Sequence, residues 1–318
     1  MKLKEALLEI TQKCNLSCKH CYAGKTAPDL KTEQWIKILN KLKKMGIKRV
    51  VLLGGEPTLY LGFYELLQYS IDNFDIVTVE TNGTTPTTLN AYECVVSISI
   101  EYANAEKNDE IRGKGSFELA LRKLQTISNP KILRYTIYSD SDPLAMAYLA
   151  ERVGANSVGV SLKPIGLGAE LKSKVPSGKM LLNWYKDITM FNNHSKFTHK
   201  IDDVGFYIVN PELYDMYAHV FIKRKRICSA GCFRIFVSAT GEVSPCPFLQ
   251  KFKMGNILKN RNGTIIKNLD KWNRGVINAP IEGKCSTCKF LPVCGGGGCT
   301  AVWIDNKVKN GIGCAIGR

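Results

Sequence analysis

Three cysteines lie close together near the start of the chain. They are Cys14, Cys18 and Cys21, in the segment KCNLSCKHCY at residues 13–22. Their CxxxCxxC spacing allows the three sulfurs to face a common centre from one loop. A cubic 4Fe–4S cluster has four irons, so three thiolates leave one iron without a protein ligand. The pattern therefore predicts an iron–sulfur centre with one iron open to a substrate or cofactor.

Two other interpretations of this loop have less support. A structural zinc site uses four ligands, usually in CxxC pairs, whereas this loop supplies three. A disulfide framework requires an oxidising compartment, and no secretory signal precedes the loop. No apolar run reaches transmembrane length, which argues against a membrane protein. Twelve cysteines without an export signal instead predict metal ligands in a reducing cytoplasm.

Length and charge bound the class of protein. The 318 residues provide room for one large α/β domain and a smaller one. A formal net charge of +16 predicts a basic surface, which either attracts nucleic acid, an acidic peptide or an acidic electron donor or is an ordinary solvated lysine-rich surface. The densest basic run, KRKR at 223–226, has no interleaved aromatic residues, which disfavours nucleic acid as a partner.

A second motif follows the cysteine loop. Residues 6–10 predict a first strand that ends at the loop, and α/β barrels place their chemistry at this end of their strands. Residues 49–53 predict a buried strand that runs into a GGEP segment at 54–57. Glycines let the backbone come close to a ligand, and proline makes the exit rigid. The two motifs together resemble the radical S-adenosylmethionine (radical SAM) superfamily.

The resemblance implies a cofactor and a reaction. In that family the open iron chelates the amino and carboxylate groups of the methionine part of SAM. Reductive cleavage then releases a 5′-deoxyadenosyl radical, which abstracts hydrogen from a substrate. The GGEP backbone meets the SAM amino group, and the aromatic Tyr22 after the last cysteine is expected to contact the cofactor. The GGEP residues implicated in this way are Gly54, Gly55, Glu56 and Pro57.

Further SAM contacts are implied by the same resemblance. Glu80 and Asn82 end a third predicted strand and are expected near the ribose. Ser99 lies in a fourth predicted strand, residues 94–101, whose small hydroxyls predict an inner face near a ligand. Arg112 implies a guanidinium clamp on the SAM carboxylate. Gly166 follows a sixth strand and is expected to bring the backbone to the adenine.

The alternation of strands and helices predicts the fold. Six strand-then-helix units over residues 1–195 predict an α/β fold, an open partial (β/α)6 TIM barrel built by right-handed crossovers. Residues 196–226 are predicted to bridge to a small cysteine-rich domain at 227–318. Cys94 stands apart from the other cysteines and is predicted to pack in the core.

Eight cysteines follow residue 227 and form a second array. Their spacing resembles the SPASM extension of radical SAM enzymes, with four consecutive glycines at 295–298 that absorb one extra residue. The interleaved pattern of that family implies two 4Fe–4S clusters, three in the protein as a whole. The first set is Cys228, Cys232, Cys246 and Cys299; the second is Cys285, Cys288, Cys294 and Cys314. Two structural zinc sites would use the same number of ligands.

Complete ligation has a functional consequence. A cluster without an open iron does not readily bind a substrate, so both auxiliary clusters are expected to transfer electrons. Their potentials would be set by hydrogen bonding, charge and burial. A low-potential donor, flavodoxin or ferredoxin, is expected to supply electrons to the chain of clusters.

The predicted substrate is a peptide or protein, possibly acidic, because SPASM enzymes typically modify peptides or proteins. Only 13 residues precede Cys14, so no N-terminal peptide-recognition domain is expected. One alternative is the maturation of a small cofactor, a tetrapyrrole or a metal cofactor. Sulfatase maturation is disfavoured, because Pro247 follows Cys246 where sulfatase maturases carry an aspartate. A non-catalytic iron–sulfur electron carrier is disfavoured, because it would not need an open iron. An RNA-modifying enzyme is a remote alternative that only the basic charge supports.

The sequence does not identify a catalytic acid or base. Three residues near the motifs are candidates: Tyr22, Glu101 and Tyr102. Glu101 and Tyr102 stand where many relatives carry Asp-Gly.

Overall fold

The computed structural model of the chain describes residues 3–23, 27–162, 166–202 and 225–309, together with positions 206, 219, 222 and 223. Within these residues ten strands form one sheet. In chain order they are β1 (Glu5–Thr11), β2 (Arg49–Gly54), β3 (Ile76–Thr81), β4 (Val95–Ser99), β5 (Lys131–Ile137), β6 (Asn156–Ser161), β7 (His199–Ile201), β8 (Arg234–Val237), β9 (Glu242–Ser244) and β10 (Gly255–Asn256). The order across the sheet is β10-β9-β8-β1-β2-β3-β4-β5-β6-β7.

The same residues form nine α-helices. They are α1 (Thr32–Lys44), α2 (Phe63–Asn73), α3 (Ala105–Arg112), α4 (Ser116–Thr126), α5 (Pro143–Arg152), α6 (Gly178–Asn192), α7 (Asn262–Ile277), α8 (Leu291–Cys294) and α9 (Thr300–Trp303). None of the described helices is long and apolar enough to span a lipid bilayer. The strands β1 to β7 run parallel, and helices connect most of them, as a partial TIM barrel requires.

Two details differ from the simple alternation of six units. Residues 82–94 connect β3 to β4 without a helix. The short strand β7 adds a seventh parallel strand beside β6. It lies inside the predicted bridging segment and is too short to show an alternating pattern in the sequence. The α/β class and the parallel barrel sheet are nevertheless confirmed.

Helix α1 shows how the sequence holds helices on the sheet. Trp35, Ile38, Leu39 and Leu42 recur at helical spacing and are all buried. They join the main core, which also receives the outward-facing side chains of the strands. Full burial of one such aliphatic side chain contributes about 1.5–3 kcal/mol. The apolar face of α1 thus holds this helix against the sheet.

The two faces of β1 serve different purposes. Leu8 and Ile10 pack into the main core, whereas Leu7 belongs to a smaller cluster with Phe236 of β8. Successive side chains alternate across a strand, so Glu9 shares the inner face with Leu7. The end of β1 therefore delivers the cysteine loop to the interior of the barrel.

The cysteine-rich region continues the barrel sheet. Strand β8 pairs in parallel with β1 on the side opposite β2. Strands β9 and β10 extend the sheet in antiparallel pairing. This hydrogen-bonded connection joins the cysteine-rich region to the strand that precedes the first cysteine loop. The domain limits at residues 195 and 226 stay predictions.

Candidate active site

A cavity of about 250 Å³ lies at the carboxyl ends of the barrel strands. Its lining includes Cys14, Cys18 and Cys21, and it extends to Cys246 of the C-terminal region. This end of the strands is where α/β barrels place their active sites. The fold therefore brings the CxxxCxxC loop and one auxiliary cysteine to the same cavity.

The GGEP turn fixes the backbone of the cysteine loop. The N–H groups of Gly55 and Glu56 donate to the carbonyls of Thr11 and Lys13 at 2.9 and 2.8 Å. A Cβ on Gly54 would lie 2.3 Å from the carbonyl oxygen of Thr11, and one on Gly55 would lie 2.4 Å from that of Lys13. Both glycines also line the cavity. They are thus required for close packing against the loop, whatever contact they make with a ligand.

Glu56 is fully buried and joins this turn to the end of β3. Its carboxylate accepts hydrogen bonds from the hydroxyls of Thr58 and Thr81 at 2.6 and 2.7 Å. It also accepts one from the backbone N–H of Asn82 at 2.7 Å. Among the described residues, neither Glu56 nor Pro57 is part of the cavity lining. Their role as direct SAM contacts stays a prediction.

Asn82 and Ser99 both line the cavity. Asn82 connects β3 to the cysteine loop, because its side-chain amide donates to Asn15 Oδ1 at 2.9 Å. The same nitrogen lies 3.9 Å from the sulfur of Cys14. The structure places Gly166 at the start of a 3-10 helix, outside the described lining of the cavity.

An ion pair that the sequence did not predict lies in the cavity. Glu80 Oε1 is 3.3 Å from Arg134 Nη1, and both residues line the cavity. Arg134 lies on β5 between Leu133 and Tyr135, which belong to the main core. The inward direction of Arg134 follows from the alternation of side chains along β5. This alternation predicts the direction of Arg134 only when it is known which side chains of β5 face the barrel interior.

Glu101 and Arg112 form a buried ion pair. Arg112 Nη1 donates to Glu101 Oε1 at 2.6 Å, and the two residues are 7% and 2% exposed, respectively. The other carboxylate oxygen of Glu101 accepts the backbone N–H of Thr136 at 2.6 Å. Burial alone would raise the pKa of Glu101, but His20 and Arg112 hold it below its ordinary value. Glu101 is therefore ionised and orients Arg112.

Arg112 retains a donor for a ligand. Its Nε is buried and, within the described part of the chain, has no hydrogen-bond acceptor. Leaving a buried donor without an acceptor costs about 1–3 kcal/mol. A carboxylate would supply the missing acceptor in the planar geometry that a guanidinium prefers. The residues present thus fit a SAM carboxylate at this position.

The three catalytic candidates occupy different places. Tyr22 lines the cavity and packs edge-on against Phe248, with ring centroids 5.0 Å apart. Burial raises the pKa of Tyr22, so its hydroxyl stays protonated. Tyr102 is outside the described lining of the cavity and donates to Asp140 Oδ1 at 2.9 Å. Glu101 reaches the cavity but is already bound to Arg112.

His20 is a cavity residue that sequence reasoning missed. Its Nδ1 lies 2.9 Å from the hydroxyl of Tyr138, and its Nε2 is 3.6 Å from Glu101 Oε1. Burial lowers the pKa of His20 below its ordinary value, and the Glu101 carboxylate opposes this shift. The position of His20 between Cys18 and Cys21 is the sequence feature that could have predicted its place at the cavity.

Cys246 is the member of the first predicted auxiliary set that lines the cavity. Burial raises the pKa of its thiol to about 12. The sulfur of Cys232 lies 3.5 Å from the carbonyl oxygen of Cys228, so these two members of the set are adjacent. The assignment of all four cysteines to one cluster stays a prediction.

The second predicted set is described in part. Cys285 and Cys294 are buried, Cys288 is partly exposed, and Cys314 lies outside the described residues. The sulfur of Cys285 accepts the backbone N–H of Gly297 at 3.4 Å. The four glycines at 295–298 all have φ between +65° and +80°. Glycine is the residue that adopts this region without steric cost, so the run makes a sharp chain reversal beside the cysteines.

Among the described residues, no three His, Cys, Asp or Glu side chains are placed as ligands of a single metal ion. Cys94 is buried in the main core, as expected for core packing.

Comparisons with known proteins agree with this geometry. Residues 8–137 match the radical SAM superfamily, and residues 228–289 match the SPASM iron–sulfur cluster-binding domain. The chain is 32% identical to mycofactocin maturase MftC of Mycolicibacterium smegmatis, over 91% of this chain and 76% of that protein. It is 28% identical to the AdoMet-dependent heme synthase of Oleidesulfovibrio alaskensis, over 91% of this chain and 80% of that protein.

A solved structure shares the whole fold. Streptococcus suis SuiB bound to its precursor peptide SuiA superposes with a TM-score of 0.76 at 17% identity, covering 100% of this chain and 76% of that chain. The two matched domains identify 4Fe–4S clusters and SAM as the cofactors. The protein belongs to the radical SAM enzymes that carry a SPASM domain.

Proposed function

We propose that the protein modifies a peptide or protein substrate, by forming a crosslink or by oxidation, in the cavity at the carboxyl ends of the barrel strands. The observation that carries the proposal is the convergence of the CxxxCxxC loop, Arg112 and Cys246 on that cavity. The similarity to a maturase over 91% of the chain supports it. The shared fold with an enzyme bound to a precursor peptide agrees with it.

Different residues of the cavity would bind the iron–sulfur cluster and SAM. When bound, SAM and the open-iron cluster supply the 5′-deoxyadenosyl radical that removes hydrogen from the substrate. Cys14, Cys18 and Cys21 would hold that cluster. Arg112 would bind the SAM carboxylate, and Tyr22 would cover the cofactor on the side of Phe248. The remaining SAM contacts would come from the cavity-lining Gly54, Gly55, Glu80, Asn82 and Ser99, and from Glu56, Pro57 and Gly166 outside it.

The C-terminal cysteines would hold two further 4Fe–4S clusters. The first would use Cys228, Cys232, Cys246 and Cys299; the second would use Cys285, Cys288, Cys294 and Cys314. Cys246 is part of the cavity wall, so electrons between the substrate and the C-terminal region would pass through its sulfur. A flavodoxin or ferredoxin would supply electrons in a reducing cytoplasm, where twelve cysteines stay available as ligands.

A second candidate function is the maturation of a tetrapyrrole. The similarity to a heme synthase over 91% of the chain favours it. Arg112, Arg134 and Arg234 all line the cavity, where they would suit the carboxylates of such a substrate. Glu80 and Glu101 already pair with two of these arginines, and Arg234 is paired with Glu5. Because the three arginines are already paired within the protein, we favour a peptide substrate over a tetrapyrrole.

Deuterium transfer distinguishes the two candidates. Cells of the source organism are grown in deuterated medium, and their extract is added to the anaerobically reconstituted enzyme with SAM and dithionite. A peptide substrate should put deuterium into 5′-deoxyadenosine, and prior digestion of the extract with protease should abolish the transfer. Transfer that survives protease and follows the tetrapyrrole fraction would contradict the proposal. The Cys14→Ala, Cys18→Ala, Cys21→Ala triple variant provides the blank.

A further inference from the structure

Arg226 is a buried cation at the beginning of the C-terminal cysteine region, only 4% exposed. Its Nη2 donates to the carbonyl of Ala230 and to Asn273 Oδ1, the latter at 2.7 Å. The guanidinium lies over the ring of Trp272, 5.3 Å from the centroid. These contacts hold the side chain in one orientation away from water.

The rest of the Arg226 guanidinium has no partner in the described part of the chain. Its Nε and Nη1 are both buried there without a hydrogen-bond acceptor. The ion pairs seen among the described residues do not include Arg226. A buried, unpaired charge is costly unless something nearby compensates it. The side chain therefore points to an anionic group that the described part of the chain does not provide.

The anionic candidate beside Arg226 is a thiolate centre. Arg226 lies two residues before Cys228, and its Nη2 donates to the carbonyl of Ala230, two residues after Cys228. The guanidinium therefore folds back over the segment that carries Cys228, the first member of the first proposed ligand set.

The same segment also contacts the second set. The N–H of Ile227 donates to the carbonyl of Cys294 at 3.3 Å. Gly295 lies so close that a Cβ there would be 1.9 Å from the carbonyl oxygen of Lys225. Residues 225–227 are therefore packed between the two auxiliary cysteine sets.

We propose that Arg226 is the fixed charge that raises the reduction potential of the auxiliary cluster held by Cys228, Cys232, Cys246 and Cys299. The inference rests on the ligand sets proposed above. Accepting one electron takes a 4Fe–4S cluster with four thiolates from a total charge of about −2 to about −3. A desolvated cation stabilises the more negative state. Electron transfer from the cavity to this cluster is favoured as a result.

The test is a redox titration of the full-length protein followed by electron paramagnetic resonance. The Cys14→Ala, Cys18→Ala, Cys21→Ala background removes the signal of the SAM cluster. In this background Arg226→Gln should lower the reduced-to-oxidised ratio of one auxiliary cluster at least tenfold at a fixed ambient potential. For one electron this equals a shift of 59 mV. Arg226→Lys keeps a positive charge and should restore most of the potential.

Two further variants make the test specific. Arg274→Gln removes an exposed charge from α7, one residue after Asn273, and should leave the potential unchanged because water screens it. Asn273→Asp places a negative charge on the Arg226 partner without removing the arginine, and should also lower the potential. It serves as the main readout if Arg226→Gln does not retain its clusters.

Iron content separates failure of the inference from failure of the proposed ligand sets. The background variant should contain about eight irons per chain if both auxiliary clusters form. Full iron content with unchanged potentials in Arg226→Gln and Asn273→Asp would overturn the inference alone. A background variant without auxiliary clusters would overturn the ligand sets and the inference together.

Discussion

The two cysteine regions are built on opposite plans. Cys14, Cys18 and Cys21 lie in one loop, whose backbone is held by the end of β1 and by the GGEP turn. The described C-terminal cysteines, from Cys228 to Cys299, are spread over short strands, turns and the ends of the four-residue helices α8 and α9. Under the proposed ligand sets, the first region would leave one iron open at the cavity, and the second would supply enough sulfurs for complete ligation. We therefore expect the locally built region to be reactive and the dispersed region to transfer electrons.

The two regions also differ in whether a buried arginine beside the cysteines is paired with a carboxylate. Arg112 beside the first loop is paired with Glu101 at 2.6 Å, so the pair adds no net charge. Arg226 beside the second region has no carboxylate partner among the described residues. An unpaired cation raises the potential of a nearby cluster, whereas a neutralised one does so weakly. From this difference we expect the barrel cluster to be the stronger reductant, as SAM cleavage requires.

The most damaging change is the removal of the open-iron site. The Cys14→Ala, Cys18→Ala, Cys21→Ala variant should lose all production of 5′-deoxyadenosine and keep about eight of about twelve irons. Chromatography of the reaction products and iron analysis measure the two effects. Cys94→Ala, in the core, should keep all the irons. SAM cleavage by the triple variant, or its complete loss of iron, would contradict the separation of the two regions.

The next largest effect concerns the buried ion pair. Arg112→Ala should weaken SAM binding at least tenfold and destabilise the protein by about 3–5 kcal/mol, because it leaves Glu101 charged and unpaired. The double variant Glu101→Gln, Arg112→Met should recover stability and still fail to bind SAM. Calorimetry and denaturation measure both quantities. Normal SAM affinity in the double variant would remove Arg112 from the cofactor site.

A smaller effect is expected from the GGEP turn. Gly55→Ala should displace the cysteine loop, because the added Cβ would lie 2.4 Å from the Lys13 carbonyl oxygen. Slower SAM cleavage is the expected result. Gly263→Ala is the matched control, since a Cβ there meets nothing within 4 Å in α7. It should be neutral, or stabilising by up to about 1 kcal/mol. Equal rates for the two variants would show that the close packing is not required.

The smallest effect separates the two tyrosine candidates. Tyr102→Phe removes only the hydrogen bond to Asp140, outside the described cavity lining, at a cost of about 0.5–1.5 kcal/mol. Its rate of SAM cleavage should equal that of the unmodified protein, as a single-turnover assay would show. A large loss of rate would place Tyr102 in the active site after all.

Much of the barrel was predictable because its signals are local. Helix α5 (Pro143–Arg152) begins at two signals that the sequence itself displays, because Asp142 caps it and Pro143 occupies its first turn. The spacing of the apolar residues in α1 is a local signal of the same kind. Strand β7 was missed because three residues are too few to show an alternating hydrophobic pattern. The strand is defined by its hydrogen bonds to β6.

The site was predictable only where residue type and spacing identify the chemistry. The CxxxCxxC loop and the two glycines of the GGEP turn, which the structure places at one cavity, belong to this class. The Glu80–Arg134 pair and the buried position of Arg226 depend on which face of an element points inward, and that is decided by tertiary packing. Glu101 lies at the cavity as a catalytic candidate must, and its ion pair with Arg112 is visible only in the structure.

The most direct test of the account is metal analysis after anaerobic reconstitution, combined with an assay for 5′-deoxyadenosine on addition of SAM and dithionite. The account predicts about twelve irons per chain, matching sulfide, no zinc, and SAM cleavage. About four irons with two zincs would show that the C-terminal region is structural. The contrast between a reactive and an electron-transferring cysteine region would then be wrong.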